Sequence, residues 1–206
     1  MPNVTEILQK TGVVPVIKLD SPSEALPLAK ALIQGGLPVA EVTFRTDAAE
    51  ESIRILTAEA PEILVGAGTI INTEQLERAY KAGAKFIVSP GLSVAVVERC
   101  LELGLPVFPG CATPSEIMTA LSFGLETVKF FPAENYGGLK TIKALAAAFP
   151  QVKFMPTGGV SPANLAEYLA FPKILACGGS WMIKPDLDET EKLCAEARAI
   201  VNSVRS

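Results

Sequence analysis

The chain has 206 residues, 49% of them hydrophobic, and its 18 basic and 22 acidic side chains leave a net charge of −4. This suits one soluble globular domain with a substantial core, and without a lysine- or arginine-rich run it argues against nucleic acid as a partner. No histidine occurs, which removes the commonest general base and the usual nitrogen ligand of zinc or iron.

The opening segment MPNVTEILQK has no basic region leading into an apolar stretch. No uninterrupted apolar run in the chain approaches the ~18 residues of a membrane span. A cytoplasmic protein with no membrane partner is expected. Beyond this segment, short runs rich in β-branched residues recur: VVPVIKL from Val13, VAEVTF from Val39, ILVGAGT from Ile63, KFIVSP from Lys85, PVFPG from Pro106, TVKFFP from Thr127, VKFMPTGG from Val152 and ILACGGS from Ile174. These are eight candidate strands. Helical spacing follows each, with start signals at Ser21-Pro22, Asn72 with Gln75, Thr113-Pro114 and Ser161-Pro162. Several helices close on glycine before the next strand, as in GAKFIVSP and GLETVKFFP. The resulting weak repeat has a period of roughly 20 to 25 residues, the size of one βα unit.

Eight strands alternating with helices predict a single α/β domain over residues 1–206, a closed (β/α)8 TIM barrel. An open doubly wound sheet is the alternative, because the typical barrel is longer, at ~250 residues. Cys100, Cys111, Cys177 and Cys194 form no CxxC pair and read as reduced thiols.

Two charged residues sit where a strand should be apolar. In TVKFFP, alternation puts Thr127, Lys129 and Phe131 on one face, and Val128 and Phe130 on the other. If Val128 and Phe130 pack under the helices, Lys129 points inward; otherwise it snorkels out at the strand end. Glu41 lies mid-run in VAEVTF, on the face of Val39 and Thr43. Directed into one interior, the two can partner each other, and desolvation favours the uncharged, nucleophilic amine. That combination predicts a Schiff-base lysine with a carboxylate proton shuttle.

Other candidates lie at strand ends. Arg45 follows the strand of Glu41, and its planar fork suits a carboxylate, although it reads equally as a solvated arginine in a first helical turn. Thr69, closing ILVGAGT, can donate a hydroxyl beside it; Lys18 is a further cation at the end of the first strand. TGGVSP from Thr157 and CGGSW from Cys177 end the last two strands, where a barrel commonly binds phosphate through backbone N–H groups. Ser180 adds a hydroxyl.

Taken in order, VVPVI, EVTFRT from Glu41, GAGT from Gly66, SPG from Ser89, KFFPAE from Lys129, PTGGVSP from Pro156 and GGSW from Gly178 resemble a known family. It comprises the class I aldolases that cleave 2-keto-3-deoxy-6-phosphogluconate and, in many members, 4-hydroxy-2-oxoglutarate. The resemblance runs nearly end to end. It implies a (β/α)8 barrel assembled as a homotrimer, with no cofactor or metal and with pyruvate and a phosphorylated 2-keto-3-deoxy sugar acid as small-molecule partners. By the same resemblance Lys129 is the Schiff-base lysine and Glu41 the general acid/base. Arg45 and Thr69 match the pyruvate-carboxylate contacts. Gly158, Gly159, Gly179 and Ser180 match the phosphate site, and Phe131 and Thr157 line the pocket. Lys18 and Tyr136 carry no role from it. Two other readings share the glycine-rich strand ends: a phosphate-binding barrel isomerase or epimerase, and a non-catalytic protein that binds a sugar-acid phosphate.

Overall fold

Every expected run contains a strand, each shorter than the run itself. The strands of the computed structural model are β1 (Val13–Ile17), β2 (Val39–Thr43), β3 (Leu64–Gly68), β4 (Ile87–Val88), β5 (Val107–Phe108), β6 (Thr127–Phe130), β7 (Lys153–Pro156) and β8 (Cys177–Gly179). The structure describes residues 3–205. Met1 and Pro2, at the head of the segment read for targeting signals, and Ser206 lie outside the described residues, so both ends of the expected 1–206 domain do too.

Helices follow the strands as the start signals require: α1 (Val4–Thr11) precedes β1, then come α2 (Ala25–Gln34), α3 (Ala49–Glu59), α4 (Thr73–Lys81), α5 (Val94–Glu102), α6 (Pro114–Ser122), α7 (Gly138–Ala148), α8 (Pro162–Leu169) and α9 (Leu187–Arg205). Asn72 caps α4 by accepting from the Gln75 N–H at 2.8 Å, and Thr113 opens α6 with a reciprocal Glu116 capping box. Ser21 instead caps a one-turn 3-10 segment that leads into α2. Gly83 and Gly124, in the turns before β4 and β6, take φ of 100° and 75°, a conformation that a side chain disfavours.

Strand alternation sorts the core into two layers. Ala40, Val42, Val128 and Phe130 belong to the large cluster under the helices, whereas Val14, Val39, Val88, Phe108 and Met155 form an inner cluster. Leu8 of α1 also joins this inner cluster and is fully buried.

The closed eight-stranded barrel expected from the strand count does not form. All strand pairs are parallel, but the ladders make a six-stranded sheet in the order β5-β4-β3-β2-β1-β8 and a separate two-stranded sheet of β6 and β7. Among the described residues the sheets are joined by isolated bridges, Gly110 to Lys129 on one side and Phe154 to Ile174 and Thr157 to Gly178 on the other. Local chemistry explains both breaks. Pro109, directly after β5, faces β6, since its carbonyl accepts from the Lys129 N–H at 2.9 Å, and a proline has no N–H to return to that ladder. Between the two bridges on the other side, the chain leading into β8 carries one more residue than β7, a bulge-like mismatch that interrupts pairing. The architecture is therefore a six-stranded half-barrel with a two-stranded sheet beside it.

Candidate functional site

The carboxyl ends of the strands surround a cavity of about 400 Å³. Its lining takes in every predicted site residue: Glu41, Arg45, Thr69, Lys129, Phe131, Thr157, Gly158, Gly159, Gly179 and Ser180. Val16, Thr43, Pro90, Val160 and Trp181 line it as well. Lys18 does not; it pairs with Asp20 at 2.5 Å beside a neighbouring cavity.

Lys129 and Glu41 are the charged groups deepest in this cavity. They are 5% and 1% exposed, and Lys129 Nζ donates to Glu41 Oε1 at 3.4 Å. Sequence phase explains the meeting. Val39, two residues before Glu41, packs in the inner cluster, while Val128 and Phe130 on either side of Lys129 pack outward. An amine and a carboxylate this deeply buried can exchange a proton with each other or with a bound carbonyl compound, in a setting where water competes poorly. The Phe131 ring centroid lies 5.3 Å from Lys129 Nζ, which puts an aromatic wall beside the amine.

Room for the Glu41 carboxylate comes from a missing side chain. A Cβ built on Gly68 would lie 2.3 Å from Glu41 Oε1 and 2.7 Å from its Cγ. Gly68→Ala is therefore expected to push Glu41 away from Lys129 and to destabilise the fold by about 1–3 kcal/mol, the usual cost of overpacking. Urea denaturation measures that cost. A shorter carboxylate, as in Gly68→Ala/Glu41→Asp, is expected to recover part of it.

Arg45 is held at the rim by a relay: its Nε donates to Thr43 Oγ1 at 3.0 Å, and that hydroxyl donates to Ile17 O at 2.8 Å. Its remaining guanidinium N–H groups can meet an anion. Thr69 takes φ of 58°, the only positive value outside glycine among the described residues. For a β-branched residue this is strained by about 1–3 kcal/mol, and such strain concentrates at ligand sites. Opposite lies the glycine-rich rim. Gly158 and Gly159 have φ of 95° and 82°, and the Trp181 ring lies against Gly179, where a Cβ would come within 1.9 Å of it.

The remaining reactive groups are poor acid/base candidates. All four cysteines are buried, and burial pushes each thiol up to about 12. Among the described residues no group of three or more cysteine, aspartate or glutamate side chains could hold a metal ion. No helix there is long and apolar enough to cross a membrane. Tyr136, in the loop after β6, is 53% exposed and packs edge to face on Phe130, with ring centroids 6.4 Å apart.

Thr43 could have been read from the sequence, since it lies one strand period beyond Glu41. Pro90 and Trp181 stand in the motifs SPG and GGSW. Gly68 stands in GAGT, but its contribution could not be read there, because it is an absence that only a neighbouring strand makes useful.

Comparisons with known proteins place the chain among similar sequences and folds. The family model described as KDPG and KHG aldolase matches residues 4–196. The 2-dehydro-3-deoxy-phosphogluconate aldolase of Treponema pallidum is 49% identical over 183 residues, covering 89% of this chain and 87% of its own. Among solved structures, the 2-keto-3-deoxy-6-phosphogluconate aldolase of Zymomonas mobilis with 3-phosphoglycerate superposes with a TM-score of 0.91 at 42% identity, covering 94% of each chain. The KDPG aldolase of Legionella pneumophila, with pyruvate captured as a covalent carbinolamine intermediate, superposes with a TM-score of 0.87 at 38% identity, covering 98% of each chain.

Proposed function

The chain belongs to the KDPG and KHG aldolase family, and from that premise we propose that it is a class I aldolase acting through a Schiff base on Lys129. Its substrate is 2-keto-3-deoxy-6-phosphogluconate, cleaved to pyruvate and glyceraldehyde 3-phosphate. 4-Hydroxy-2-oxoglutarate, cleaved to pyruvate and glyoxylate, is a second substrate. The observation that carries the reading is the buried amine–carboxylate pair at 3.4 Å in the floor of the cavity.

The chemistry follows from the groups. The Lys129 amine attacks the C2 ketone to give a carbinolamine, the type of adduct named for the Legionella relative. Loss of water leaves a protonated imine, which can accept an electron pair. Glu41 takes the proton of the C4 hydroxyl, the C3–C4 bond breaks, its electrons pass into the imine as an enamine, and the aldehyde departs. Glu41 returns the proton to C3 of the enamine, and water releases pyruvate and the free lysine. Arg45 and Thr69 bind the 2-keto acid carboxylate, while Phe131 and Thr157 shape the wall beside the imine. Gly158, Gly159, Gly179 and Ser180 take the phosphate.

A coupled lactate dehydrogenase assay with both 2-keto acids tests this, together with borohydride reduction in the presence of pyruvate. Turnover and a pyruvate-sized mass on Lys129 are expected. A folded protein that gives neither overturns the aldolase in favour of a binding module. Turnover of a phosphosugar without any adduct favours an isomerase. Ser180→Ala is expected to raise KM for the phosphorylated substrate by about 10-fold or more, the scale of one hydrogen bond to a charged group, and to leave 4-hydroxy-2-oxoglutarate unchanged.

The chain works as one catalytic domain in the cytoplasm, as a homotrimer. Sedimentation equilibrium reads the mass.

A further inference from the structure

Two loops meet behind the glycine turn at Gly158–Gly159. The segment after β6 docks on that turn through its main chain: the Ala133 N–H donates to Thr157 O at 2.8 Å, and the Glu134 N–H to Gly158 O at 3.1 Å. The stem of Glu134 fills the space that Gly159 leaves without a side chain, for a Cβ there would lie 2.4 Å from Glu134 Cγ and 2.6 Å from its Cβ. The Asn164 side-chain amide donates to Gly159 O at 3.1 Å. Gly159 is thus gripped from α8 and from the β6–α7 loop together.

What fixes Glu134 is a residue far along the chain. The hydroxyl of Tyr168, on α8 and 2% exposed, donates to Glu134 Oε1. Burial first, and then the Glu134 carboxylate, hold this phenol well above its ordinary range, so it remains a donor at neutral pH. Gly138 leaves room for the contact: a Cβ there would come within 2.8 Å of both Glu134 Oε1 and the Tyr168 hydroxyl, and Glu134 itself is exposed.

A turn of two successive glycines at positive φ has many other conformations open to it. Backbone N–H groups grip a phosphate only when their directions converge. We propose that Tyr168 and Glu134 are positioning residues that hold the Gly158–Gly159 turn in its phosphate-binding shape and so set the preference for phosphorylated over unphosphorylated 2-keto acids. The link also ties down a carboxylate that, released, would be free to repel an incoming phosphate dianion. This deepens the phosphate-site reading given above and rests on it.

The test is a set of three variants with two readouts. Trp181 is the single tryptophan of the chain and lines the cavity, so its fluorescence reports titration with 3-phosphoglycerate. Tyr168→Phe is expected to raise the Kd of 3-phosphoglycerate, and KM for the phosphorylated substrate, by about 10-fold, the scale of one charge-assisted hydrogen bond. Pyruvate trapping on Lys129 and turnover of 4-hydroxy-2-oxoglutarate are expected to stay as in the unmodified protein. Glu134→Gln keeps both the stem and an acceptor and is expected to bind 3-phosphoglycerate nearly normally, whereas Glu134→Ala loses at least as much as Tyr168→Phe. Unchanged 3-phosphoglycerate binding by both Tyr168→Phe and Glu134→Ala overturns the proposal. So does an equal loss in pyruvate trapping, which would mark a general structural role, and so does an unmodified protein that does not bind 3-phosphoglycerate. If the unmodified protein fails to trap pyruvate, the aldolase reading falls, while the titration still decides the link.

Discussion

Borohydride reduction of Lys129→Ala in the presence of pyruvate is expected to leave the mass of the protein unchanged, and cleavage is expected to fall by roughly 10⁴-fold or more, the scale on which loss of a covalent nucleophile acts. The chain has other lysines, but the aldolase mechanism needs the one amine that shares the cavity with Glu41. Removing it also leaves a carboxylate buried without its partner, a loss that costs about 3–5 kcal/mol when a buried pair is broken. Thermal unfolding therefore accompanies the assay. Lys129→Met/Glu41→Gln removes both charges and retains more of the volume, so it separates lost chemistry from lost stability. A pyruvate adduct on either protein would move the Schiff base to another lysine.

Glu41→Gln is expected to separate the steps rather than abolish them. The amide keeps an acceptor near Lys129, so the amine still attacks pyruvate and borohydride still fixes an adduct. C–C cleavage, which needs a group to take the C4 hydroxyl proton, slows by about 10²-fold or more. Single-turnover release of pyruvate measures the second step and the mass adduct measures the first. Cleavage near the unmodified rate would assign the proton transfer to a group other than Glu41. If both steps failed with the fold intact, Glu41 would be needed to deliver the amine in its reactive form.

Lys129 and Glu41 stood out because each put a charge in an otherwise apolar strand, and the residues sharing its face follow from alternation, a local property that survives into the fold; that this face of Lys129 is the inner one came from the structure. The caps at Asn72 and Thr113 were readable for the same reason, since their partners lie three residues away. Gly68, the Tyr168–Glu134 link and the Arg45–Thr43–Ile17 relay were not. Each joins residues whose proximity depends on how separate strands and helices are placed.

Strand closure shows the limit most plainly. Eight strands could be counted in the sequence, but a closed ladder requires every neighbour to keep register over several residues. Pro109 after β5 and the extra residue leading into β8 interrupt the pairing at two places, and the sheets stay separate. By itself, then, the sequence determined the strands, the helix starts and which residues share a face of each strand, because these follow from alternation and capping within a few residues. Only the tertiary structure decided the sheet topology, the 400 Å³ cavity and the supports behind its glycine rim. Those depend on hydrogen bonds and contacts between distant segments, whose register no local pattern specifies.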